Sequence, residues 1–473
     1  MVQAQTIARL EARIAKLERQ LGRNSGNSSM PPSTDDLPGR TPPPEKPVRE
    51  TGSKRKRGKQ PGAPGSNLAW RDNPDEAFDY YPAGACGCGA DLDGAVDLGV
   101  AASHQQHDIP QVTAKVTQHD RHRVRCGCGA EHVAPPPEGV VDAPVSYGVN
   151  LRALCVLLLV VHAIPVQRCA QLIGVITGAQ PSPGFVHSML KRASAALSEV
   201  DKRIRALVCL AYVVHCDETP LRVGSKRLRK QLLVASTATY TYYLLGDRSL
   251  ATFKAFLLPE LRGVIVHDRY TVYDNPELDN LREEAGLLPL VHQLCASHIL
   301  RDLADLAEAH PDQPWPGQIA NALRRLIHAT NTARDNGADA IDEQLRTELT
   351  QNFSDGVLVG LSHIPRVGAP GEKVKQHPFR AMLEALRDRQ NDILRFTTDL
   401  RLPATNNQAE RDLRPAKTQQ KISGRLTSEE TTSHRYRIAS YLSTAAKNGV
   451  NTLEAIRDSL LGNPWMPPLP AIP

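Results

Sequence analysis

Apolar residues recur at Ile7, Leu10, Ile14, Leu17 and Leu21, spaced 3, 4, 3 and 4, with Arg, Glu and Lys between them. That spacing is the a/d seam of a helix, so residues 1–21 predict a coiled-coil zipper that Gly22 terminates. Two heptads are marginal as an isolated dimer, which leaves self-association or packing on another domain open. The periodicity then stops. From Gly22 to Ser66, Pro, Gly and Ser make up 22 of 45 residues, and residues 22–66 predict a flexible linker that enters no core. Alternation at Val112, Ala114 and Val116, within a segment spanning 67–140, predicts a strand. Residues 141–210 return to a helical period broken by Pro165 and by the turn Pro181 to Gly184, which predicts three or four helices. Such a unit suits nucleic-acid binding, and a plain bundle fits equally well.

From Leu210 the period changes. Leu210 to Glu218 reads LAYVVHCDE, an apolar run that meets acid at its end, as a buried strand delivering Asp217 to a sheet edge does. Arg229 to Thr239 and Tyr240 to Gly246 follow at hairpin spacing. A helix over SLATFKAFLLPEL then leads into GVIVHDRYTVYD, where Val264, Ile265 and Val266 again run into an acid, Asp268. Residues 211–450 are therefore expected as one α/β domain. Helix-rich stretches such as Ile319 to Thr332 and Ala338 to Gln351 predict a helical insertion at about 300–400. Residues 451–473 are expected as a short tail.

Composition narrows the class. Aromatics are only 4% of the 473 residues, so the cores must be built mainly from Ala, Leu, Val and Ile. The formal charge of +6 is local: eight basic residues and two acids lie between Arg40 and Gln60, and the remainder is neutral. Lys54, Arg55, Lys56 and Arg57 form a tethered polycation suited to neutralising phosphates, and are candidate DNA contacts. The longest apolar run, Ala153 to Val166, is shorter than a spanning helix needs, so no membrane segment is expected. The N-terminus lacks the apolar core of a signal peptide, which places the chain in the cytoplasm, at the nucleoid if it handles DNA. Thiols stay reduced there, so the nine cysteines are not read as a disulfide framework.

The candidate chemistry falls into two sets. Cys86, Cys88, Cys126 and Cys128, in ACGCGADL and RCGCGAEH, could supply four thiolates to one tetrahedral Zn²⁺, with glycines turning backbone amides toward sulfur. Each pair is C-x-C, tighter than the commoner C-x-x-C, so His104, His107, His119 or His122 could replace a thiolate, and two glycine turns with incidental thiols remain the plainer alternative. The second set is acidic. Asp217 and Asp268, each closing a strand in one αβ unit, bring together two negative charges that are unfavourable without a cation. Glu410 lies downstream in TNNQAERDLRPAKTQQKISGR, on a helix that Asn406 or Asn407 can cap and that carries Arg411, Arg414, Lys417 and Lys421 as a basic stripe. An acid for metal and cations that track a strand, on one helix, suit an enzyme holding Mg²⁺ and a phosphodiester together.

HCDETPLRV around Asp217, HDRYTVYD around Asp268, CASHILRDL with Cys295 and His298, and NNQAERDLRP around Glu410 resemble the transposases of the insertion sequence 66 family. The zipper, LGRNSGNSSMPPSTD, KRKRGKQPGAPGS and the cysteine pairs stand in the family order, so nearly the whole chain is covered. The resemblance implies a multidomain α/β protein. It has an RNase H-like catalytic core with a helical insertion, preceded by an N-terminal coiled coil, a flexible basic linker, a zinc-binding module and a small helical domain. It also implies that Asp217, Asp268 and Glu410 form a DDE triad holding two Mg²⁺, with the helical insertion lying within the 142-position separation of the second and third acids. Hydrolysis would expose the element's 3′ end, and that hydroxyl would then attack target DNA. The implied partners are the terminal inverted repeats and target DNA, further copies of the chain, and in some elements small accessory proteins. The sequence departs from the family at the tighter cysteine pairs, at Gln408 and in the short tail.

Plainer readings stand beside these. An acid after a strand is commonly a cap or turn residue, Asp274 and Glu218 lie close enough to exchange places with the named acids, and His298 also reads as a helix-start or core histidine. A catalytically inactive, transposase-derived DNA-binding protein would keep the same outline. A metal-dependent phosphatase or nuclease would share the acids but has no need of a zipper and polycationic linker to pair DNA ends.

Overall fold

A computed structural model describes residues 68–469 apart from 138–139, 141–142, 226–229, 310 and 368–375. The expected zipper, the linker and its Lys54–Arg57 run lie outside the described residues. The chain divides into two compact units at Asp108/Ile109.

In the first unit, Asp91 caps a short 3-10 turn over Leu92–Gly94 by accepting from the Asp93 N–H, and Gln105 exchanges two hydrogen bonds with the Arg71 backbone. In the second unit the chain begins with a small hairpin, β1 (Arg123–Arg125) and β2 (Glu131–Val133), around the second cysteine pair. The strand expected at Val112 to Val116 does not form: Val112 and Val116 are both exposed, so the alternation has no face to bury. Instead Ala114 N–H donates to the Thr177 carbonyl.

Four helices follow: α1 (Val149–Val160), α2 (Val166–Thr177), α3 (Pro183–Ala196) and α4 (Ser198–Leu210). Pro165 at the start of α2, Gly178 in the left-handed region at its end, and Ser182 accepting from the Phe185 N–H set these boundaries. Next come β3 (Val213–Leu221), β4 (Lys230–Ser236), β5 (Thr241–Gly246), α5 (Leu250–Phe256), β6 (Val264–His267), α6 (Pro276–Glu284) and β7 (Val291–Leu294). The insertion then contributes α7 (Ala296–Ala309), α8 (Trp315–Asp335), α9 (Glu343–His363), α10 (Pro378–Asp388) and α11 (Gln390–Leu394). The chain closes with α12 (Asn407–Ile422), α13 (Glu429–Lys447) and α14 (Thr452–Leu460).

The protein is thus mixed α/β with a helical majority, around a five-stranded sheet of order β5-β4-β3-β6-β7. β5, β4 and β3 run antiparallel, and β3, β6 and β7 run parallel. Alternation along β4 divides the core as period-two geometry demands. Leu233 and Ala235 join an apolar cluster with α1 to α5, α13 and α14, while Leu232 and Val234 join Ala409, Leu413 and Ala416 of α12 on the other face. Helices α7 to α11 have a core of their own around Trp315, Leu323, Phe353 and Leu383, which Val264 and Leu294 at the end of the sheet also enter. Gly263 is a packing requirement at the entry to β6, because a Cβ there would lie 2.2 Å from the Ala211 and Tyr212 carbonyl oxygens. The residues expected as a short tail form α14 and bury Ala455 and Ile456 in the main cluster. Among the described residues no helix is long and apolar enough to cross a membrane.

Candidate active site

Strand register brings the first two acids together. β3 and β6 are parallel neighbours, with His215 opposite Val266 as their last pair. Asp217 lies two residues beyond that pair and Asp268 is the first residue after β6, so the parallel register carries both toward one end of the pair. The expectation that Asp217 closes its strand is corrected: β3 runs on to Leu221, because beyond His215 it stays paired with β4. The third acid arrives on α12, which packs against the sheet through Ala409, Leu413 and Ala416. Glu410 sits in its first turn. Asp217, Asp268 and Glu410 are each half-buried, and Asp217 feels both of the others. Burial first, then Asp268 and Glu410, push the Asp217 carboxyl up to about 6, against the Glu218 N–H and Lys417, which favour its charge.

A fourth carboxylate stands near Asp268. Glu218 points off the opposite side of β3, where Tyr273 donates to its Oε2 at 3.2 Å, and burial followed by Asp268 and Asp217 pushes it up to about 7. Its place directly after Asp217 was the signal available in the sequence. Burial first, then repulsion by Asp268, raises the Asp217 and Glu218 carboxyls, and carboxylates gathered in this way are a hard-oxygen donor set that fits divalent cations.

What holds Glu410 in place is less legible from sequence. Asn406 occupies the N-cap position of α12, but its side chain makes no cap hydrogen bond. The capping role expected of Asn406 or Asn407 is therefore corrected: the Asn406 amide donates to the Cys216 carbonyl at 2.7 Å, and its Oδ1 lies 3.1 Å from His215 Nδ1. Its backbone N–H donates to Cys295 Sγ at 3.1 Å, and Ala296 N–H donates to the Ala404 carbonyl. One buried amide ties the start of α12 to β3 and to the end of β7 because burial leaves its polar atoms no water to turn to.

The opposite face of α12 is fixed by Asp412, two residues on from Glu410 and so turned toward the sheet. Its Oδ2 accepts from Lys447 at 2.6 Å, Ser236 at 2.6 Å and Thr241 at 3.2 Å, locking α12 to β4, β5 and α13. Arg411, Arg414, Lys417 and Lys421 are all exposed along α12. Arg414, Lys417 and Lys421 follow Glu410 at helical spacing and share its face.

His298, on the first turn of α7, and Cys295, just before it, stand beside the group. The imidazole is raised by its hydrogen bond with Cys295, then by Cys295, Asp268 and Glu410 as charges, against burial. Burial would push the Cys295 thiol up, but hydrogen bonds from His298 and the Asn406 N–H hold it below its usual value. Asp274 stands apart from the acids, paired with Arg389 at 2.7 Å and near His292.

The cysteine pairs are two copies of one turn. Cys86 N–H donates to the Ala90 carbonyl and Gly89 N–H to the Cys86 carbonyl; Cys126, Ala130 and Gly129 repeat both bonds. Gly89 and Gly129 have φ of 88° and 91°, a conformation a side chain rarely adopts. Within each pair the thiols are mutually hydrogen-bonded, lowering Cys88 and Cys126, with the Ala90 and Cys128 backbone amides as the largest cause respectively. Cys86 and Cys88 lie in the first unit, Cys126 and Cys128 in the second.

A family model described as "Transposase IS66 family" matches residues 144–434, more than half of the chain. A family of unknown function, DUF6444, matches residues 1–69. No curated protein matches the chain.

Proposed function

We propose that the chain, which belongs to the IS66 family of transposases, cuts and joins DNA at the carboxylate group of Asp217, Asp268 and Glu410. The observation that carries this reading is that the parallel pairing of β3 and β6 brings Asp217 and Asp268, the residue just past β6, close enough for Asp268 to raise the Asp217 carboxyl, with the Glu410 helix packed beside them. Three antiparallel strands followed by two parallel ones, and a separate helical core between β7 and α12, support an RNase H-like domain carrying an insertion.

Asp217, Asp268 and Glu410 would hold two Mg²⁺, which when bound supply Lewis-acid neutralisation of the charge on a reacting phosphodiester. The protein's own part is to place the DNA. Lys417 and Arg414, on the face of α12 that carries Glu410, meet backbone phosphates, and Arg411 and Lys421 extend that contact along the strand. Asn406 keeps the first turn of α12 from moving relative to β3. The Lys54–Arg57 run adds sequence-independent affinity, and the cysteine turns supply thiolates to structural Zn²⁺. The substrates are the element's terminal inverted repeats and a target duplex, handled at the nucleoid, with small accessory proteins joining in some elements.

Strand cleavage and strand transfer on labelled element ends, with and without Mg²⁺, test the reading. Asp217→Asn, Asp268→Asn and Glu410→Gln should each lower cleavage by at least about a thousandfold while end binding stays within a fewfold of wild type. Loss of binding in step with loss of cleavage would make the acids structural. Cleavage that survives all three changes would sink the proposal.

A further inference from the structure

Cys295, His298 and Glu410 offer one sulfur, one ring nitrogen and one carboxylate oxygen, all within 4.8 Å of one another. They come from three places in the chain: the residue after β7, the first turn of α7 and the first turn of α12. Two backbone bonds fix these places together, Ala296 N–H to the Ala404 carbonyl and Asn406 N–H to Cys295 Sγ. Cys295 is only 1% exposed, and His298 Nδ1 is buried with no hydrogen-bond partner. None of this is needed to hold Mg²⁺, which takes oxygen ligands and has no use for a thiolate.

Sulfur, imidazole and carboxylate are instead the donors of a Zn²⁺-class ion, which takes four ligands in a tetrahedron and prefers softer atoms. Ligand bonds of about 2.0 to 2.3 Å put tetrahedral donors roughly 3.4 to 3.8 Å apart, so a side-chain rotation of an ångström or so closes the site. A second histidine and acid cluster, His267, Asp274 and His292, is a weaker candidate because Arg389 already stands 2.7 Å from the Asp274 carboxylate.

We infer that Cys295, His298 and Glu410 form a soft-metal site whose occupation by Zn²⁺ withdraws Glu410 from the Mg²⁺ group and switches the enzyme off. The inhibitory part rests on the reading of Glu410 as the third acid of that group. The metal-binding part stands on Cys295 and His298, which that reading does not use. Because Glu410 serves both sites, the two metals compete for one carboxylate, and micromolar Zn²⁺ opposes millimolar Mg²⁺ through relative softness.

Co²⁺ is the probe, since a thiolate bound to it absorbs in the near ultraviolet and tetrahedral Co²⁺ absorbs in the visible. Full-length wild type, Cys295→Ser and His298→Ala are titrated with Co²⁺, the cysteine pairs at 86–88 and 126–128 contributing equally to all three. Cys295→Ser should lose one thiolate–Co²⁺ equivalent, and His298→Ala should weaken that equivalent at least about tenfold. In the cleavage assay, Zn²⁺ should stop the wild type at a concentration at least about tenfold below that needed for whatever activity Cys295→Ser retains. Identical Co²⁺ spectra of wild type and Cys295→Ser, both folded by circular dichroism, overturn the inference, and so does equal Zn²⁺ sensitivity. Asp217→Asn separates the two readings: it leaves the Co²⁺ signal intact, so cleavage persisting in that variant defeats the catalytic assignment alone.

Discussion

Two regions of this protein carry metal-ligand chemistry on different supports. Between Val213 and Lys447, carboxylates remote in the chain are aligned by a sheet whose two faces are covered by apolar clusters. Between residues 68 and 137 no described side chain is buried, and the four thiols sit on two turns held by a pair of backbone bonds each. The acids converge because burying Leu232 to Ala235 and Ile265 leaves their strands one register; the site is a by-product of the core. The thiols have no core behind them, and on the reading proposed above it is bound Zn²⁺ that stabilises the turns carrying them. One group of candidate ligands is placed by a core, and the other, on that reading, is fixed by its metal.

The sharpest way to break this contrast is to remove metal. Chelation of the purified protein should unfold the cysteine segment outright, since binding energy in such a module is folding energy, about 10 kcal/mol or more. Limited proteolysis should then cut between residues 68 and 137 many times faster, while the urea midpoint of the remainder stays put. Equal protease resistance with and without metal would show that the segment orders itself by other means.

Within the sheet region the largest loss should follow Lys447→Ala. Lys447 is the cation of a buried pair, its side chain 14% exposed against 9% for Asp412. Deleting it leaves a charge among Ser236, Thr241 and Gln408, and removal of one partner of such a pair costs about 3 to 5 kcal/mol. Urea denaturation reads this directly, and a cost under about 1 kcal/mol would mean that α12 is held by its apolar face alone. Asn406→Ala comes next. It strips a hydrogen bond from the Cys216 carbonyl and leaves His215 unpartnered on that side, at about 1 to 3 kcal/mol. Cleavage should fall by more than that loss of stability accounts for at a temperature where the variant is folded, because Glu410 is carried by the turn that Asn406 anchors.

The contrast also marks what could be read from sequence. The meeting of Asp217 and Asp268 was legible because each ends an apolar run, and burial is a pattern that composition records. The nearness of Glu410 to them was legible only with the family order, since an acid on a basic helix has many other uses. Asn406 was misread as a cap because a polar residue before a helix has a strong local preference, and its bonds to His215 and Cys216 join positions about 190 residues apart. Asp412 fell between the basic residues and read as surface charge, although its phase on α12 turns it inward. The alternation at Val112 to Val116 misled for the opposite reason: period two predicts a strand only when one face is covered, and there neither is.

The smallest effect tests whether a buried acid away from the carboxylate group behaves as the crowded ones do. Asp201 on α4 is pushed up to about 6 by burial, only partly countered by Arg437, whose Nε is 3.4 Å away, and its Oδ1 has no partner. A carboxyl whose folded pKa lies above its unfolded value near 4 makes the native state the better proton binder. Its contribution is therefore complete below about pH 4 and is lost as pH rises through about 6. Asp201→Asn removes that titration. Stability of the variant minus that of the wild type should climb between pH 4 and 7 and level off above. The two-unit shift sets a ceiling of about 3 kcal/mol, and the variant leaves the Arg437 guanidinium half-exposed without its carboxylate, which brings the net gain to about 1 kcal/mol. Thermal unfolding of both proteins across that range checks the sign. A flat difference would mean that Arg437 fully compensates burial at Asp201.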